Sequence, residues 1–214
     1  MGINVDTGDL KVFLKTVSIK GKLLLDTLVN GYNKVLQLNP ADARGIYMDV
    51  GVKLRDKGDY EGAIRSFKKV LDIDSVNAEA LYEIGRTYLK VGLPNEAIES
   101  LGRATNLDRS SAHCFFHLGS AYFMVDDNPK AQWALNEAIK IDPTYAEAYY
   151  KLGLVYDNMS DYENAIGSYK KAVSIKPNFI KAYQSIGLAY EAKGQREEAV
   201  KYFKQALEKE EKAV

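Results

Sequence analysis

The chain is poor in the residues that most protein chemistry needs. Its 214 residues include one cysteine, two histidines and five prolines. A single cysteine, Cys114, excludes an internal disulfide and a thiolate-based zinc site. No apolar run approaches the ~18 residues that a membrane-spanning helix requires. The start, Met1-Gly2-Ile3-Asn4-Val5-Asp6, lacks the basic region and apolar core of a secretory leader, so a cytoplasmic protein is expected. Charge of one sign is missing too. Lys plus Arg is 29 and Asp plus Glu is 29, which leaves no net basic footprint for nucleic acid. Neither G-x-x-x-x-G-K-[ST] nor G-x-G-x-x-G occurs, which removes the usual phosphate cradles. What remains is 46% hydrophobic, with 15 tyrosines, and that composition folds.

The tyrosines and glycines are not scattered. Gly51, Gly85, Gly119, Gly153 and Gly187 follow one another at 34 residues. Ala63, Ala97, Ala131, Ala165 and Ala199 keep the same period. Tyr88, Tyr122, Tyr156 and Tyr190 hold a third register, with Leu54 ahead of them. Further registers hold Tyr47, Leu81, Phe115, Tyr149 and Tyr183, and Phe67, Leu101, Leu135, Tyr169 and Phe203. Such a period marks a stack of like units, each of which must bury its apolar face against a neighbour.

Within the fourth copy, Tyr149, Leu152, Val155 and Tyr156 recur at helical spacing, which predicts a helix with one buried stripe. Ser160 or Asp161 is placed to cap a second helix. That helix carries Ala165, Ile166, Tyr169, Ala172 and Val173 and stops at Pro177. Small side chains at Gly153 and Ala165 let the two helices approach. The expected class is all-α, built from antiparallel helix pairs.

Chemistry finds few candidates. His113 and His117 lie at i, i+4 on one helix face, a spacing that suits a metal ion. No third histidine exists, and Cys114 stands where a metalloprotease helix has glutamate. Asp126-Asp127-Asn128-Pro129 lacks the glycine and closing glutamate of a calcium loop and reads as a capped turn. The reading is no enzyme, no metal and no cofactor. Residues 10–25 form a separate feature. Leu10, Phe13, Leu14, Val17 and Leu24 alternate with Lys11, Lys15, Lys20 and Lys22, as in a basic amphipathic segment. It either caps the stack as a divergent unit or docks on a partner.

An aromatic, then Leu-Gly, Tyr, Ala, Phe, Ala and a closing Pro is a pattern that resembles the tetratricopeptide repeat (TPR) family. The resemblance places repeats at 44–77, 78–111, 112–145, 146–179 and 180–213, after a divergent, degenerate unit at 1–43. The closing proline is present only as Pro143 and Pro177. The family implies a right-handed superhelical solenoid whose concave face receives a protein or peptide ligand. Its inward-facing positions, matched residue by residue, include Met48, Arg55, Glu79, Tyr82, Arg86, His113, Phe116, Ser120, Tyr150, Asp157 and Gln184, with His117 beside them. Tyr82, Phe116 and Tyr150 share one register and are expected to line up as an aromatic ridge. The Lys and Asn clamp of chaperone-binding members is replaced by Met48, Val52, Glu83, His113 and His117, which disfavours that ligand.

Three stretches also resemble a magnetosome-associated bacterial branch of this family. They run from Tyr47 to Ile64 (YMDVGVKLRDKGDYEGAI), Leu152 to Lys176 (LGLVYDNMSDYENAIGSYKKAVSIK) and Ile186 to Glu208 (IGLAYEAKGQREEAVKYFKQALE). That branch implies a non-enzymatic scaffold, peripheral to an organelle membrane through other proteins and self-associating through its N-terminal unit. Lys11, Phe13, Leu14, Val17 and Lys22 are the residues this assigns to self-association. The competing reading is a monomeric peptide-binding adaptor of another pathway, such as secretion or pilus assembly.

Overall fold

The computed structural model describes residues 39–211. The self-association residues Lys11, Phe13, Leu14, Val17 and Lys22, and most of the expected unit 1–43, lie outside the described residues. Ten helices and no strand occur among the described residues, and the chain divides into two compact units, Met1–Val91 and Gly92–Val214. The first contains α1 (Pro40–Asp56), α2 (Tyr60–Ile73) and α3 (Ala78–Lys90). The second contains α4 (Pro94–Leu107), α5 (Ala112–Met124), α6 (Asn128–Ile141), α7 (Ala146–Asn158), α8 (Tyr162–Ile175), α9 (Ile180–Ala192) and α10 (Arg196–Glu211). Within each unit, consecutive helices pack on one another as antiparallel neighbours, and α5 also touches α7.

Local chemistry sets the helix ends. The side chains of Asn39, Asp59, Asn77, Ser111, Asp127 and Asp161 each accept a hydrogen bond from the backbone N–H three residues on. Each thereby satisfies a donor that a helix start leaves unpaired. Of the two capping candidates before α8, Asp161 caps. Ser160 instead turns the chain with φ of 60°. This is a further period-34 register: Gly58, Asp126, Ser160, Gly92 and Gly194 all have positive φ. Glycine is the residue that adopts this conformation without a Cβ clash. The 126–129 segment is a capped turn, as its sequence implies, with Asp127 as the cap. The turn at 108–111, which lacks proline, is closed by chemistry that it shares with the proline turn at 142–145. The Asp108 carboxylate accepts from the Ser110 N–H and hydroxyl at 2.9 and 2.6 Å. Asp142 does the same for Thr144 at 2.9 and 2.7 Å.

The 34-residue glycines mark where each first helix meets the ring or branch of its second helix. A Cβ at Gly153 would lie 2.5 Å from Tyr169 Cδ1, and one at Gly51 2.6 Å from Phe67 Cδ1. At Gly119 the obstacle is Leu135 Cγ at 2.7 Å. The alanine register Ala63, Ala97, Ala131, Ala165 and Ala199 is buried throughout. The tyrosine register is less deep than its regularity implies. Tyr88, Tyr122, Tyr156 and Tyr190 are half-buried, with rings against the core and hydroxyls at its edge. Tyr156 accepts from Gln132 Nε2 at 2.9 Å and Tyr190 from Lys170 Nζ at 2.7 Å. An amphipathic ring of this kind buries its body while its polar tip finds a partner.

Candidate protein-interaction face

In the first unit, α1 and α3 bring three of the expected residues, Arg55, Tyr82 and Arg86, into one network around Glu83. Arg55 pairs with Glu83 across the two helices, and Arg86 bonds the other Glu83 oxygen at 3.1 Å. Arg55 also reaches Asp56 at 3.2 Å. The Arg86 guanidinium lies 5.3 Å from the centre of the half-buried Tyr82 ring. Met48 is half-buried against the clusters around Tyr47 and Phe67. Glu79 is exposed at the start of α3. Arg86 thus holds a carboxylate of its own helix, that of Glu83.

In the second unit, α5, α7 and the residues that cap α7 and α9 carry a row of rings. Phe116 meets Tyr145 at 4.9 Å between centroids and His117 at 5.1 Å. His113, exposed, meets the other side of Tyr145 at 5.1 Å. One copy later, Tyr150 meets Phe179 at 4.8 Å. The arrangement repeats: a ring at the fifth position of a first helix packs on the ring that closes its copy. Phe116 and Tyr150 are half-buried, so one flank stays open. The Ser120 hydroxyl donates to the Phe116 carbonyl at 2.9 Å and is committed to its own helix. Gln184 is exposed on α9, and Leu188 beside it is 56% exposed.

Asp157 is half-buried near the end of α7, and burial raises its carboxyl above the ordinary range. Lys151, on the same helix, is half-buried over the Phe123 ring, with its ammonium lowered by burial. Sequence reasoning missed Lys151, Tyr145 and Phe179 as members of the face. Tyr145 and Phe179 each close a copy, 34 residues apart, and Lys151 shares its register with His117 and Glu83. Those spacings were the available signal.

Catalytic chemistry does not assemble here. No group of three His, Cys, Asp or Glu side chains gathers to hold a metal among the described residues. His113 and His117 are engaged with rings. Cys114 is buried, and burial pushes its thiol up, away from the reactive thiolate. No described helix is long and apolar enough to cross a membrane.

Family models for tetratricopeptide repeats match residues 146–179, 78–111 and 180–211, and a TPR repeat model matches 51–92 and 127–160. A crystal structure of MamA protein is 58% identical, with a TM-score of 0.74 over 80% of this chain and 94% of that one. The chain belongs to the tetratricopeptide repeat family. A second MamA crystal structure is 59% identical over 78% of this chain and 97% of its own, again at a TM-score of 0.74. MamA from Desulfovibrio magneticus RS-1 shares the fold at 24% identity, with a TM-score of 0.75 over 80% of this chain and 97% of that one. No curated protein matches. Kinship with MamA at this level makes the chain a non-enzymatic repeat scaffold.

Proposed function

We propose that this protein is a self-assembling scaffold of the MamA kind. It coats the cytoplasmic side of the magnetosome membrane through other proteins and supports magnetosome formation or activation in biomineralization. The observation that carries the reading is the 58–59% identity to MamA across nearly the whole length of those structures. MamA proteins are magnetosome-associated, non-enzymatic repeat scaffolds. The half-open aromatic row along α5 and α7 supplies a surface for a protein ligand. Contiguous apolar groups left open beside polar ones mark such sites.

Self-assembly runs through the N-terminal unit. The basic amphipathic sequence pattern of residues 10–25 supports it, because Phe13, Leu14 and Val17 alternate there with lysines. A contact between unlike surfaces does not close on itself and builds chains or large rings. Light scattering after size exclusion tests this on the full chain and on a form lacking residues 1–43. A large assembly that falls to a monomer on truncation is the expected result. Monomers in both cases would replace the scaffold with the monomeric adaptor.

A further inference from the structure

The aromatic row of the second unit is flanked by two charges that no described residue answers. Lys151 and Asp157 both sit on α7 and are half-buried. Lys151 places its ammonium 5.5 Å from the centre of the Phe123 ring of α5, and no carboxylate answers it among the described residues. Asp157 has no cation among the described residues. Other charges nearby are answered within the unit: Glu147 by Lys176 at 2.7 Å, and Glu163 by Lys193 at 2.7 Å.

The two unanswered charges lie about 120° apart around α7. Lys151 leans toward α5 through Phe123. Asp157 acts on the Tyr169 phenol, which lies beneath α7 next to Tyr150 and Ser185 of α9. The Tyr169 hydroxyl is buried and makes no well-formed hydrogen bond. Six residues of helix separate the two charges, roughly 9 Å along the axis. Between them lies the half-buried Leu154, and α9 contributes the exposed Leu188.

A half-buried charge without a counter-charge costs folding free energy. A ligand that supplies both counter-charges removes that cost and is held in one direction, because the reversed ligand sets like charges together. We propose that this face recognises a partner-protein segment of fixed charge order: a carboxylate over Lys151, an apolar side chain against Leu154 and Leu188, and an arginine over Asp157. Arginine fits better than lysine. Its planar fork engages the Asp157 carboxylate through two parallel N–H groups, which a lysine ammonium cannot do.

The proposal rests on the interaction-face reading, and its test separates the two. A display library of random short peptides is selected on the full chain and on its Lys151→Glu, Asp157→Lys, Lys151→Met and Asp157→Asn variants. Peptides from the natural chain carry acid, apolar residue and arginine in that order, and lose about ten-fold or more in affinity when the order is reversed. Selection on Lys151→Glu replaces the acid with a base, and on Asp157→Lys it replaces the arginine with an acid. The two neutral variants keep the fold if a charge reversal does not, and each loses only its own half of the preference. Peptides that need Phe116 and Tyr150 but show no charge order overturn the proposal and leave the face standing. Peptides indifferent to Phe116→Ala and Tyr150→Ala, or no enrichment at all, overturn both.

Discussion

Arg55 of α1 and Glu83 of α3 form an ion pair across the first unit, and Arg86 shares the same carboxylate. The Arg55 and Glu83 side chains are only 13% and 11% exposed, so this pair is shielded from solvent. Removing the carboxylate leaves two guanidiniums facing a common void. Glu83→Ala therefore lowers stability by about 3 kcal/mol in urea unfolding. A double-mutant cycle with Arg55→Ala returns a coupling of roughly 1–3 kcal/mol.

Close approach at the repeat glycines predicts opposite effects of one substitution at two sites. Gly153→Ala drives a Cβ into the Tyr169 ring and costs about 1–3 kcal/mol. Gly167 lies in the middle of α8 with nothing within 4 Å of its added Cβ. Gly167→Ala gains up to about 1 kcal/mol from helix propensity. Chemical denaturation of the two variants side by side checks both signs.

Ser160 holds a left-handed conformation that glycine adopts freely, as Gly58 and Gly194 do at the equivalent turns. Ser160→Gly raises stability by about 1 kcal/mol, and Gly194→Ala lowers it by a similar amount. Thermal melting of both variants measures the pair.

Asp157 carries a stability cost that pH reveals. Burial raises its folded pKa above the unfolded value, so the native state binds the proton more tightly. Stability from this group is then greatest at low pH and declines as pH rises through the folded pKa. Its charge acts on the Tyr169 phenol, which supplies no cation. Asp157→Asn is more stable than the natural chain at neutral pH. The difference vanishes below the pKa of a free aspartate, as urea midpoints across pH would show. Lys151 behaves in mirror image. Burial lowers its folded pKa, so Lys151→Met is the more stable form at neutral pH, and the gap closes as the free-lysine pKa is passed.

Cys114 is buried with its thiol pKa raised, so it reacts slowly with a disulfide reagent in the native protein and at the ordinary rate in denaturant. A reaction in native buffer as fast as in denaturant would contradict the burial of α5.

Much of this molecule was legible in the sequence because a repeat states each rule several times. The glycine, alanine and aromatic registers at 34 residues fix which helix face is buried, since a residue that meets the same neighbour in every copy is held to the same size. The expected face residues all lie on the first helices of their copies, because position within a copy assigns each to a helix. What the registers do not contain is pairing between unlike residues. Glu83 and Lys151 share a column with Asp49, His117 and Ser185, and Asp157 shares one with Arg55, Leu89, Phe123 and Glu191, so neither column fixes a charge. Whether such a charge is answered depends on side chains from other helices: Glu83 meets two arginines, whereas Lys151 and Asp157 meet a ring and a phenol. The sequence alone determined the helices, their pairing and the repeat identity, through periodic size and polarity. Only the tertiary structure decided which charges are satisfied, because a counter-charge is a matter of distance in space and not of spacing along the chain.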